Sequence, residues 1–183
     1  MAKRITTRSA KNKGARFQKY VAARVSDLLN MPYGKDECIQ SRIMGGTSVD
    51  IVLIGPARIE FPWSCECKAD ESFNLKSWIR QASTNILEHT QWIVLFKKNR
   101  FKPAVCFDIE VFNRLFSESG LQLIEYAAKN WFLEKYIDTA RVGGTDWYLK
   151  LKYEDTYVVV MDLDKFFDLM CERESSIKGV AEL

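Results

Sequence analysis

A carboxylate stands inside an apolar run. Asp50 falls within Thr47-Ser48-Val49-Asp50-Ile51-Val52-Leu53-Ile54, a stretch otherwise rich in β-branched residues. Such a stretch reads as a strand, and a charge on an apolar strand is costly unless it is paired or binds a cation. Further on comes Ser64-Cys65-Glu66-Cys67-Lys68. Strand side chains alternate, so Glu66 and Lys68 share one face while Cys65 and Cys67 share the other. Gly55-Pro56 breaks the chain between the two strands. The pair reads as a hairpin with a slightly long link, in which Asp50 and Glu66 converge.

Two carboxylates brought together repel, and a divalent cation relieves that repulsion. Hard oxygen ligands suit Mg²⁺ or Mn²⁺, and Mg²⁺ keeps waters and substrate phosphates as its further ligands. Asp50 and Glu66 are the candidate metal-binding acids, and the backbone carbonyl of Cys67 is a natural third ligand. Lys68 can then orient an attacking water or stabilise charge developing on a phosphate. These parts describe metal-dependent hydrolysis of a phosphodiester. A Glu-x-Lys triplet alone means little, since a chain with 13 Glu and 16 Lys carries about one by chance. The weight comes from its context.

The charge is unevenly placed. The first 19 residues hold seven basic groups (Lys3, Arg4, Arg8, Lys11, Lys13, Arg16 and Lys19) and no acid. The rest of the chain holds 20 basic and 24 acidic groups, so the net +3 is a basic arm of +7 joined to a body of −4. A basic arm suits a polyanion such as nucleic acid, through phosphate neutralisation and counterion release. The single His (His89) argues against any mechanism that needs a His pair. Ser48, beside Asp50, has no activating His, which argues against serine nucleophilic catalysis. The five Cys contain no CxxC pair, which fits reduced thiols in a cytosolic protein. No apolar run is long enough to span a membrane.

Periodicity gives a coarse element order. Residues 1–13 read as a flexible arm. A helix follows Gly14, with Phe17, Val21, Val25, Leu28 and Leu29 on one face. Strands are expected over residues 38–44, 48–54 and 63–68. A helix over 74–88 carries Leu75, Trp78, Ile79, Ala82 and Ile86, and strands follow at 92–96 and 105–107. This order predicts an α/β fold, a mixed central sheet flanked by helices. Ala104-Val105-Cys106-Phe107-Asp108 and a later segment ending at Asp162 each read as strand, acidic N-cap and short amphipathic helix. Residues 120–146 read as mostly helical, 147–152 as a strand, and the last ten as loose. The expected organisation is an arm (1–13), a core (14–119) and a C-terminal α+β addition (120–183) packed on that core.

With those residues assembled, a family likeness emerges. Asp50 followed by Glu66-Cys67-Lys68 resembles the PD-(D/E)XK nuclease superfamily. Lys13-Gly14-Ala15-Arg16-Phe17-Gln18, Ser41-Arg42-Ile43-Met44-Gly45-Gly46, Phe61-Pro62-Trp63-Ser64 before the Glu66 triplet, Asn74-Leu75 and Trp78-Ile79-Arg80-Gln81-Ala82 resemble archaeal-type Holliday-junction resolvases and their phage-encoded relatives. The likeness covers residues 13–116. It implies a restriction-endonuclease-like core with the C-terminal addition outside it. It also implies a DNA endonuclease using Mg²⁺ or Mn²⁺, in-line water attack, and 5′-phosphate and 3′-hydroxyl products.

By the same resemblance, Asp50 and Glu66 bind metal and Lys68 is the catalytic lysine. Gln81 orients water, metal or phosphate, and Arg42 contacts DNA near the scissile bond. Lys11, Lys13, Arg16 and Ser48 join Arg42 as DNA-contact candidates. Two positions depart from the pattern. Where such resolvases carry Glu on the first helix, this chain has Gln18, and Val49 stands where the superfamily's name has Pro. Branched DNA is the implied substrate and a homodimer the implied assembly. Trp131, Phe132, Phe166 and Phe167 are candidate interface residues. The host cytoplasm is the implied location if the chain is phage-encoded. The rival readings are a general nicking, flap or end-processing nuclease, and a DNA-binding module of the same fold without turnover.

Overall fold

In the computed structural model, residues 7–42, 48–98, 101–116, 124–126 and 148–181 are described. The chain divides into two compact units, Met1–Arg100 and Phe101–Leu183. Both mix strands with flanking helices, so the α/β class is as expected.

The first unit opens with α1, Thr7–Leu29. Phe17, Val21, Val25 and Leu29 recur every four residues and are buried, with Ala22 beside them. The helix starts at Thr7, so residues 7–13 of the expected arm are helical. Residues 7–13 contain neither Pro nor Gly, so nothing stops the helix from propagating backward past Gly14. It ends where Asn30 takes a left-handed φ of 51° and Pro32 follows. The Ser26 hydroxyl donates to the Met31 carbonyl and secures this turn.

Strands β1 (Ile39–Ser41) and β2 (Ile51–Leu53) pair antiparallel, with Ser41 opposite Ile51. Helix α2, Pro56–Glu60, then intervenes, entered through Gly55 at φ 57° with Pro56 in its first turn. It leads to β3, Trp63–Ala69. The expected hairpin of residues 48–54 with 63–68 is therefore corrected. β2 takes β1 as its ladder partner, and β3 runs parallel to β4 (Gln91–Lys97), with Glu66 opposite Val94. The five-residue helix between β2 and β3 is too long a link for a tight hairpin.

Helix α3, Leu75–Thr84, connects β3 to β4 as a βαβ unit. Leu75, Trp78, Ile79 and Ala82 are buried, and Trp78 and Phe73 pack on Phe96 of β4 with ring centroids 5.6 and 5.7 Å away. The helix stops four residues short of the expected 88, and Ile86 is exposed. The hydroxyls of Ser83 and Thr84 both donate to the Arg80 carbonyl. Beyond them Ser64 accepts the Leu87 N–H, Thr90 donates to the Leu87 carbonyl, and His89 turns at φ 60°. A buried hydroxyl pair thus overrides the helical pattern.

In the second unit β5 (Ala104–Asp108) pairs antiparallel with β8 (Thr156–Asp162). β8 pairs antiparallel with β7 (Tyr148–Tyr153), and β7 parallel with β6 (Ile124–Tyr126). Helices α4 (Ile109–Phe116) and α5 (Leu163–Ala181) follow β5 and β8. The strand–cap–helix echo is present in both. Asp108 accepts the Glu110 N–H, and Asp162 accepts the N–H groups of Asp164 and Lys165.

The boundary falls at Arg100/Phe101, not at 119/120, because β5 pairs with β8 and Phe107 and Phe116 pack on Phe166. Residues 124–126 form a strand where helix was expected, and the rest of 120–146 lies outside the described residues. The tail expected to be loose continues α5 to Ala181. Phe166 and Phe167 are buried in their own unit, which removes them as interface candidates; Trp131 and Phe132 lie outside the described residues.

Candidate catalytic site

The site is assembled from four separate segments of the first unit. Asp50 sits at the bend entering β2. Its backbone N–H donates to the Cys65 carbonyl at 2.8 Å, and its carbonyl accepts the Arg42 N–H at 2.9 Å. The second bond extends the β1–β2 register by one residue and sets Arg42 opposite Asp50. The Asp50 side chain turns back to β3, where Oδ2 accepts the Cys67 N–H at 2.7 Å. The ladder with β3 is missing, yet the convergence expected of a hairpin is achieved by two bonds to one strand edge.

Glu66 and Lys68 share a face of β3, as alternation requires. The Lys68 Nζ lies 2.6 Å from Glu66 Oε1 and donates to Gln81 Oε1 on α3 at 2.8 Å. Glu66 is 3% exposed. Cys65 and Cys67 are buried on the other face, and burial keeps both thiols protonated.

Gln18 reaches the same place from α1. It is 3% exposed, and its side-chain amide lies against the Asp50 carboxylate. Its Oε1 is buried without a hydrogen-bond partner. The Asp50 carboxyl is pushed up to about 6. Burial is the main cause and repulsion by Glu66 adds to it, while the Cys67 N–H, Lys68 and Gln18 pull the other way.

The donor set fits a hard cation. Two carboxylates lie close enough to repel, and a neutral amide side chain lies against one of them. The N–H and C=O of a residue in an extended strand point to the same edge. The Cys67 carbonyl therefore points to the edge where its N–H meets Asp50, away from the β4 ladder. Among the described residues no group of three or more His, Cys, Asp or Glu side chains forms a metal-holding cluster, and the acids at this point are Asp50 and Glu66. That is the count with which Mg²⁺ is commonly held.

The DNA-contact candidates are more scattered. The Arg42 side chain is half-buried, and its Nη1 is a buried donor without a partner. Lys11 and Arg16 are exposed on α1, and Ser48 is half-buried just before Asp50. Lys13 is ion-paired with Glu71, which follows β3. Glu71 is the residue that sequence reasoning missed; a charge pair so distant in sequence leaves no local signal. Likewise, spacing pointed to the Cys67 carbonyl but gave no hint that its N–H anchors Asp50. His89 is exposed, 3.3 Å from Glu88, on the far side of the α3 turn in sequence.

Comparison with known proteins finds no family model, no curated protein and no solved structure that matches the chain. No described helix is long and apolar enough to cross a membrane.

Proposed function

We propose that the first unit is the catalytic core of a metal-dependent DNA endonuclease with a restriction-endonuclease-like fold, acting on branched DNA in the manner of a Holliday-junction resolvase. The observation that carries this reading is the gathering of Asp50, Glu66, Lys68, Gln81 and Gln18 from four segments around one partly buried point. Such a cluster is costly to build and gives the fold little in return. Burial of two acids beside a lysine is characteristic of sites tuned for chemistry.

Asp50 and Glu66, with the Cys67 carbonyl, would hold Mg²⁺ or Mn²⁺. Bound there, the cation supplies Lewis acidity toward the phosphate and lowers the pKa of water. The chain's own residues do the rest. Lys68, held by Gln81, presents an ammonium where charge develops on the phosphate or where water must be oriented. Gln18 sets a neutral amide against Asp50 from α1. Arg42 offers an unpartnered donor to a phosphate oxygen. Lys11, Lys13 and Arg16 add phosphate contacts further along α1, Lys13 by exchanging Glu71 for the substrate. No His takes part, and water attacks in line without a covalent enzyme intermediate. A pair of symmetric cuts calls for a C2 homodimer. The reduced thiols fit work in the cytoplasm, that of the host if the chain is phage-encoded.

A second reading has its own observation. Gln18 is neutral where resolvases of this type carry an acid, which fits a module of the same fold that binds DNA without turning over. Incubation of labelled four-way junction, flap and linear duplex with Mg²⁺ separates the readings. Paired cuts confined to the junction support the resolvase. Cuts in every substrate indicate a general nuclease, and binding without cuts indicates the inactive module.

A further inference from the structure

We infer that the site in the free protein takes a single divalent cation and that Gln18 is the residue limiting it to one. The inference rests on the nuclease reading and extends it to the number of metals.

Charge is the first argument. Asp50 and Glu66 bring two negative charges, and Lys68, 2.6 Å from Glu66, brings one positive. One divalent cation turns this net −1 into +1, matched to a single incoming phosphodiester. A second would raise it to +3 in a pocket where Glu66 is 3% exposed. Such an excess has no offset among the described residues, because no third acid joins the group.

Gln18 is the second and independent argument. It lies against Asp50 from α1, 3% exposed and with Oε1 unpartnered. From α1 its neutral amide lies against the Asp50 carboxylate, so no third negative charge reaches the acid pair from that side. The free Oε1 leaves a neutral acceptor suited to a water bound to the first cation. Glu has the same shape with an added charge and no donor. Gln18→Glu would therefore set a third carboxylate beside Asp50.

The test is a count of Mn²⁺ bound per full-length chain, by electron paramagnetic resonance and calorimetry, taken as the difference from Asp50→Asn. Asn in place of Asp50 still accepts the Cys67 N–H, so that reference should keep its fold. The expected result is one ion for the wild-type chain and two for Gln18→Glu. The thermal midpoint of Gln18→Glu should lie below wild type without Mn²⁺ and be restored by it. Two ions on the wild-type chain, both lost in Asp50→Asn, would overturn the single-cation inference and leave the nuclease reading standing. One ion in both the wild type and a folded Gln18→Glu would overturn the role given to Gln18. No difference between wild type and Asp50→Asn at millimolar Mn²⁺ would overturn the metal site itself, and with it the reading on which the inference rests.

Discussion

The Asp50 carboxylate accepts the backbone N–H of Cys67 at 2.7 Å, and this bond, with that from the Asp50 N–H to the Cys65 carbonyl, ties the β1–β2 pair to the strand that carries Glu66 and Lys68. It makes Asp50 both an anchor and a candidate ligand, and substitutions separate the two roles. Asp50→Asn keeps an acceptor for the N–H and loses the charge. Asp50→Ala leaves a buried donor unsatisfied, a cost of about 1–3 kcal/mol. Urea denaturation should therefore show Asp50→Ala clearly destabilised and Asp50→Asn close to wild type without metal. Both should lose cleavage by at least about 100-fold, as expected on removing an electrostatic contributor to the transition state.

The raised Asp50 pKa sets a pH window. Its ordinary value is 3.8 and in the folded chain it is about 6. A carboxyl raised on folding favours the folded state fully below the ordinary value, and that contribution fades as pH rises through the folded value. Without a divalent cation, Asp50 should thus make the protein relatively more stable at pH 4–5 than at pH 7–8. Asp50→Asn should flatten this part of the stability profile. A cation competes with the proton, so Mg²⁺ should raise the thermal midpoint more at pH 8 than at pH 5. An equal increment at both would contradict the assignment.

Lys68 offsets a nearly buried acid. Its own side chain is 22% exposed against 4% for Glu66. Removing the ammonium in Lys68→Ala leaves Glu66 uncompensated, at about 2 kcal/mol after allowing for partial solvent contact. Millimolar Mg²⁺ should recover much of that stability, because the cation replaces the lost charge, yet cleavage should stay down about 1,000-fold. Gln81→Ala frees Lys68 without removing it and should cost about 10-fold in rate with little change in stability. If Lys68→Ala cleaves normally, the lysine has no chemical role.

Phosphate contacts are read from salt dependence. Each lost contact should lower the slope of log affinity against log salt by about 1. Lys11→Ala and Arg16→Ala should each do this without changing the cutting rate on saturating DNA. Arg42→Ala should lower both slope and rate, since Arg42 lies opposite Asp50 in the hairpin register. Deleting residues 1–13 is a poor substitute for these variants, because it removes the first two turns of α1 as well as the charge.

The parts of the site that depend on local rules were legible in the sequence. Strand alternation put Glu66 and Lys68 on one face, and the Phe17–Val21–Val25–Leu29 stripe turned α1 so that Gln18 is buried. Long-range choices were not legible. Nothing local to residues 48–68 says that β2 pairs with β1, and helical spacing carried Ile86 into α3 because the Ser64–Thr90 hydroxyl pair that ends the pattern lies at sequence-distant positions. The unit boundary was missed for the same reason: β5 finds its partner β8 some fifty residues on.

The central claim is that Asp50, Glu66 and Lys68 form a metal-dependent phosphodiester-cleaving site. The most direct test is Mg²⁺-dependent cleavage of an end-labelled four-way junction by the full chain, beside Asp50→Asn and Lys68→Ala. The account predicts paired cuts with 5′-phosphate ends, abolished by chelator and by either substitution. Cutting that persists in a chelator or in Asp50→Asn, or no cutting with Mg²⁺ or Mn²⁺ on any DNA the protein binds, would contradict it.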